Sequence, residues 1–339
     1  MIYEKIPFFL LIALTIALSV MSLKNQGLFE AGHRFPILLR AENAIVSYVA
    51  YMGKMIWPTN LATYYPFPSN VEPLKTVSAT VFLLALTGFF IRNLKTRPWL
   101  CFGWFWYLGT FVPMSGMVQG RLWPAMADRF AYVPFIGLFL IIAFGTVEIL
   151  DKLNPGKKSV GSGLVLTLLV ALAITTYFQQ KTWANSITVF RQVLKVTGSN
   201  WLVHTNLGGG LLDDNKLDEA AIHLKKAIKL NPGKKYAYMT LAKLEEKREN
   251  PDGVIRNISK AIKLDPNTRR HYLILGNAQV KKGEFSAAVE SFQKALAMSP
   301  ENPYLHARIG FVLTQAGKYN ESISYLENAI IPLTHVYVG

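Results

Sequence analysis

The chain has 339 residues, of which 51% are hydrophobic and only 17% charged, with a net charge of +15 and a mean hydropathy of +0.24. Residues 1–180 hold 14 Lys/Arg and 7 Asp/Glu, whereas residues 181–339 hold 22 and 14. An ordinary soluble enzyme and wholesale disorder are both excluded by this split and by the hydrophobicity, and continuous rather than alternating apolar runs exclude a polar-lumen β-barrel.

Ile6–Leu23 is the first apolar run. Its flank carries no net charge and no small-residue cleavage site follows, so it reads as a membrane span and not as a signal peptide. Ala41–Trp57 carries Glu42 and Lys54 near its ends and Tyr48 and Tyr51 within, and either spans or lies re-entrant. Thr76–Ile91, Trp99–Met114, Ala131–Leu150 and Ser159–Phe178 approach the roughly 20 apolar residues that a bilayer requires. A polytopic domain of about six spans over residues 1–180 is expected. Cys101, within the fourth run, is the single cysteine, which excludes an intramolecular disulfide and Cys-based metal sites.

Charge gives the orientation. Arg92, Lys95 and Arg97 precede the fourth run, and Lys152, Lys157 and Lys158 precede the sixth. Two spans separate these loops, so they share a side, and excess Lys/Arg marks that side as cytoplasmic. With six spans the Lys24, Arg34 and Arg40 loop joins them. Asn60–Lys75, Gly116–Phe130 and everything after Phe178 then face the periplasm or lumen. Asp128 and Arg129 lie directly before the fifth span, where charges mark a pathway or headgroup site; the alternative is a snorkelling Arg129 with Asp128 capping the helix. Tyr64, Tyr65, Pro66 and Pro68 form an outward aromatic turn, read as an interfacial belt.

Pro232, Pro266 and Pro300 recur every 34 residues, the period of the tetratricopeptide repeat (TPR). Small residues fall in register at Gly208, Ala242, Gly276 and Gly310, and large ones at Leu224, Ile258, Phe292 and Leu326. Small residues let two helices approach while large ones fill the space between pairs. The fold class is therefore all-α, a multi-span helical membrane domain followed by a TPR solenoid over 182–336. That solenoid comprises a lone helix at 185–196 and repeats at about 201–234, 235–268, 269–302 and 303–336. His204, Tyr238, Tyr272 and His306 share one aromatic slot, so a metal role for the two histidines is not expected. Asn206, Lys243, Asn277 and Arg308 project from the first helices and either line a concave groove for a protein or peptide or are ordinary solvated positions. The excess of positive charge on this half suits anionic membrane lipid or an acidic partner. No nucleic-acid motif accompanies it. Asn257-Ile258-Ser259 and Asn320-Glu321-Ser322 are N-glycosylation acceptor patterns.

A family resemblance rests on several stretches: Glu4 to Phe9; Asn43, Ala44, Ser47, Tyr48 and Tyr51; Lys54, Trp57-Pro58, Leu61-Ala62 and Tyr65-Pro66; Gly103 to Thr110 with Val112-Pro113; and Met126 to Pro134 with Ile136-Gly137. Together these resemble the bacterial relatives of the transmembrane-and-TPR (TMTC-type) O-mannosyltransferases, whose membrane part has the GT-C fold. The resemblance implies sugar transfer from a polyprenyl-phosphate carrier to a protein hydroxyl, with no other cofactor. It also implies a catalytic carboxylate in an outward loop preceding the segments of this chain, which reads as a C-terminal portion. Asp128 and Glu72 are the carboxylates in the outward loops between spans, and neither is assigned as catalytic. Arg129, beside Asp128, is the motif residue suited to a carrier phosphate. A non-enzymatic, membrane-tethered TPR scaffold is the alternative function.

Overall fold

A computed structural model describes Met21, residues 35–115 and residues 124–334, the last four by backbone alone. Apart from Met21, Ile6–Leu23 lies outside the described residues, as do the loop charges Lys24 and Arg34. Regular structure among the described residues is helical, joined by one isolated antiparallel bridge between Tyr65 and Met126. The chain divides into two compact units between Thr197 and Gly198.

The first unit contains α1 (Ile37–Ile56), α2 (Pro73–Arg92), α3 (Pro98–Phe111), α4 (Tyr132–Asp151), α5 (Pro155–Lys181) and α6 (Ser186–Thr197). Proline begins α2, α3 and α5, where its fixed φ suits the helix and its missing N–H removes no bond. The segments Pro73–Arg92, Asp128–Asp151 and Pro155–Lys181 are long and apolar enough to cross a membrane. They carry exposed Leu84, Phe139 and Leu168 on faces that a solvent of lipid, not water, would stabilise. This is a membrane protein. The other two described segments expected as spans differ in kind. α3 has 14 residues, a length of about 21 Å at 1.5 Å per residue, and a short 3₁₀ turn over Val112–Met114 follows it. α1 has 20 residues but buries Arg40, Asn43 and Ser47.

Aromatic side chains form the core of this unit. Trp104, Tyr107, Tyr51 and Phe111 are fully buried, and their polar atoms are paired. The Tyr48 hydroxyl donates to Leu108 O at 2.7 Å, Tyr107 to Tyr48 O at 2.5 Å, and Trp104 Nε1 to Thr87 Oγ1 at 2.9 Å. α3 and α4 meet backbone to backbone. A Cβ added at Gly103 would stand 2.4 Å from Gly137 O, and one at Gly137 2.2 Å from Gly103 O. Such small-residue contacts are the means by which helices pack when no hydrophobic gradient drives them together. At one end of the helices, Glu148 binds both Arg97 and Lys152 at 2.6 Å. The two basic loops expected to share a side thus share a carboxylate.

The second unit is four helix pairs: α7 (Trp201–Asp213) with α8 (Leu217–Leu230), α9 (Lys235–Lys247) with α10 (Pro251–Leu264), α11 (Arg269–Lys281) with α12 (Phe285–Ala297), and α13 (Pro303–Gln315) with α14 (Tyr319–Thr334). Each helix starts 34 residues after its counterpart. The small and large slots meet each other: a Cβ at Gly276 would lie 2.6 Å from the Phe292 ring, and Gly208 and Gly310 face Leu224 and Leu326 in the same way. Within each pair the turn is also periodic. Asn215, Glu249, Gly283 and Gly317 all have positive φ, at 60°, 54°, 79° and 77°. Asn200, Asn250 and Asn302 cap three helices through their side chains. Of the two acceptor patterns, Asn320 is exposed. Asn257 is buried with its amide donating to Gly253 O at 2.8 Å, so in the folded protein it does not present a glycosylation site.

Candidate functional site

α1 ends beside the segment that leads into α4, and the loop after α1 folds back between them. The bridge fixes this loop: Tyr65 N donates to Met126 O and Ala125 N to Tyr65 O, each at 2.9 Å. Asn43 Nδ2 donates to Ala125 O at 3.2 Å, and the Tyr51 hydroxyl bonds both Ala127 O and Ala127 N at 2.8 Å. These contacts bring together residues 60 to 82 positions apart.

Asp128 stands at the centre. Its Oδ2 accepts from Ala62 N at 2.5 Å and from the Tyr65 hydroxyl at 3.0 Å. Its buried Oδ1 accepts no hydrogen bond among the described residues and faces Lys54 Nζ at 3.7 Å. Lys54 donates to the Tyr65 hydroxyl at 2.6 Å and lies over the Tyr65 ring. Burial first, and then the Asp128 charge, push the Tyr65 phenol well above its ordinary pKa, so it stays a neutral donor.

Two readings of the outward loops change accordingly. Asp128 is not a helix cap, because it bonds the preceding loop instead of the first turn of its own helix. Tyr65 is not a belt residue, because its hydroxyl is held between Lys54 and Asp128. Arg129 is exposed, donates to Thr63 O at 2.8 Å and stacks on Phe130.

A cleft of about 320 Å³ opens beside this cluster. Tyr51, Lys54 and Asp128 form its polar end, while Met55, Phe135, Phe139 and Leu172 are among its apolar walls. Arg129 does not line it. Volume and lining suit an extended apolar ligand with a polar head. Sequence reasoning assigned the chemistry here to Arg129. The structure brings Lys54 and Tyr51 to the cleft, and both belong to the stretches that carry the family resemblance.

In the second unit, Asn206 and Lys243 are exposed on α7 and α9. Asn277 and Arg308 are half-buried and bonded to each other, Arg308 Nη2 to Asn277 Oδ1 at 2.5 Å, with the guanidinium over the Phe292 ring. Two of the four groove candidates thus join adjacent repeats. His204 is buried against His223, Nδ1 to Nδ1 at 2.8 Å, and its Nε2 pairs with Ser199 Oγ at 2.9 Å. Burial and the second imidazole lower the His204 pKa to about 4. Among the described residues no three His, Cys, Asp or Glu side chains are grouped to hold a metal ion.

A TPR repeat model matches residues 276–317. Protein O-mannosyl-transferase Tmtc3 of Drosophila melanogaster is 25% identical over 166 residues, 48% of this chain and 17% of the fly protein. Human protein O-mannosyl-transferase TMTC1 is 26% identical over 52% of this chain and 19% of its own length. The Caenorhabditis elegans protein O-mannosyl-transferase F38B6.6 is 31% identical over 32% of this chain and 15% of its own length. The chain is similar to the TMTC protein O-mannosyl-transferases. It spans less than a fifth of the length of each of these three TMTC-type relatives. Among solved structures, a crystal structure of MamA is 24% identical, with a TM-score of 0.40, over 42% of this chain and 84% of that one. MamA of Desulfovibrio magneticus RS-1 gives 16% identity and a TM-score of 0.41 over 45% and 86%.

Proposed function

We propose that this chain works in protein O-glycosylation as a TMTC-like membrane protein: the cleft beside Lys54 receives a polyprenyl-phosphate carrier, and the repeats hold an acceptor protein outside the cytoplasm. One observation carries the reading. An apolar cleft ends at Lys54 and Asp128, where the Lys54 ammonium, with three N–H donors, can donate to a phosphate. Arg129, exposed in the same segment and outside the cleft lining, is a second cation for a head group that extends beyond the cleft. The proposed orientation rests on excess Lys/Arg: the loops that share Glu148 face the cytoplasm, and the loop carrying Tyr65, with the repeats, faces away.

Native mass spectrometry of the full chain in detergent tests the site. Wild type should retain a polyprenyl phosphate and not the corresponding alcohol, Lys54→Gln should lose the selectivity, and Arg129→Ala should weaken retention. Equal retention of phosphate and alcohol by wild type would refute the carrier site.

The non-enzymatic scaffold is the second reading, and a specific observation favours it. Asp128, the carboxylate at the cleft, has Oδ2 engaged by Ala62 N and Tyr65 and Oδ1 turned to the Lys54 ammonium, contacts that tie the loop in place. A carrier bound without sugar transfer would support that reading.

A further inference from the structure

The repeat unit contains many cations. Several on the first helices and at the turns are ion-paired: Lys235 with Asp265, Arg248 with Asp218, and Lys282 with Asp252 and Glu284. Six lysines on the second helices are different. Lys225, Lys226, Lys229, Lys260, Lys263 and Lys294 are all exposed, and among the described residues none takes part in an ion pair. Lys226, Lys260 and Lys294 occupy one repeat position in three successive copies, and Lys229 and Lys263 another. On a helix, residues four and seven or eight apart share a face. That face also carries Ile222, Leu230, Leu264 and Met298, which are exposed by 65%, 46%, 42% and 39%. Glu290 interrupts it in the third copy, at the position of Ile222 and Arg256, and Asp218 and Asp252, at the N-terminal end of the face, are paired with Arg248 and Lys282. The fourth copy has Glu327 and Asn328 where the first has Lys225 and Lys226, so the ladder stops there.

We propose that this face of α8, α10 and α12 docks on an anionic lipid surface. Unpaired lysines in register supply the charge complementarity, and the aliphatic side chains between them supply the shallow apolar contact of an interfacial helix face. An acidic protein would need carboxylates at the same spacing as the ladder, whereas a lipid surface offers anions at every position. The chain already carries helices apolar enough to hold it in a bilayer.

The test uses the full chain in nanodiscs of phosphatidylcholine alone or with phosphatidylserine, read by the rate of lysine acetylation in mass spectrometry. The six lysines should react several-fold more slowly in the anionic discs, and high salt should abolish the difference. Lys243, exposed on a first helix, should react equally in both. A Lys226→Glu/Lys260→Glu/Lys294→Glu variant with unchanged helicity should lose the protection of Lys225, Lys229 and Lys263. Equal rates in the two discs, or protection that appears only on adding an acidic polypeptide or RNA, would overturn the proposal.

Discussion

The two units solve the same problem, packing helices, by opposite means. The repeat unit uses local rules: each small residue meets the large residue 16 positions later, and the pattern is copied every 34. The membrane unit uses contacts between residues far apart in sequence, such as Asn43 with Ala125, Tyr51 with Ala127 and Lys54 with Asp128, none of which repeats. Where apolar burial supplies the driving force, a periodic sequence is sufficient. Where the surroundings are themselves apolar, it is buried polar pairs and backbone-close glycines that distinguish one packing from another. The comparison predicts non-local fragility in the first unit and local, compensable fragility in the second.

The largest effect is expected at Asp128. Asp128→Ala removes the acceptor of Ala62 N, one acceptor of the Tyr65 hydroxyl and the counter-charge of Lys54, and breaking a buried pair costs about 3–5 kcal/mol. Thermal unfolding in detergent should show this loss, with Asp128→Asn milder; an Asp128→Ala variant as stable as wild type would contradict the central place of Asp128 in this packing.

Gly276→Leu should cost about 1–3 kcal/mol by overpacking against Phe292. Here the damage should be repairable. The double change Gly276→Ala/Phe292→Ile copies the Ala242 and Ile258 pair of the second repeat and should melt near wild type. Additive destabilisation by its two single changes would contradict the slot pairing.

Acid should act on the repeat unit through His204. Its folded pKa, about 4, lies below the unfolded value of about 6.5. The unfolded chain therefore binds more protons between these values, so stability is complete above pH 6.5 and falls as pH drops towards 4. His271, also lowered by burial, acts in the same direction. His204→Tyr, which copies Tyr238 and Tyr272, should flatten the melting profile over that range. An unchanged slope would show that the histidine pair does not titrate on unfolding.

The smallest effect is a gain. Glu249 holds a positive φ that Gly283 and Gly317 adopt without strain, and relieving a left-handed non-glycine residue is worth about 1 kcal/mol. Glu249→Gly should raise the melting temperature slightly; a decrease would mean that the turn is not strained.

What the sequence made legible follows the same division. The 34-residue period made the repeats and their small and large slots legible; the left-handed turn positions went unread because Glu249 disguises the Asn/Gly pattern, and so did the Asn277–Arg308 and His204–His223 contacts, which the period does not specify. In the membrane unit the apolar runs located the helices, but hydropathy cannot see that Tyr65 turns inward or that Lys54, at the end of a helix, meets a carboxylate beyond two further helices. Arg129 was conspicuous for its place beside Asp128. Lys54 was visible only as one of the family-like residues, and its role required the tertiary contact.

The central claim is that the cleft holds the lipid tail while Lys54 holds the phosphate. A photoactivatable polyprenyl-phosphate analogue, irradiated with the full chain and mapped by peptide sequencing, tests it directly. Labelling should fall on the peptides bearing Tyr132 to Phe139 and Leu172 to Trp183, and polyprenyl phosphate, but not the polyprenyl alcohol, should compete it away. Labelling elsewhere in the helices, or equal competition by the alcohol, would contradict the claim.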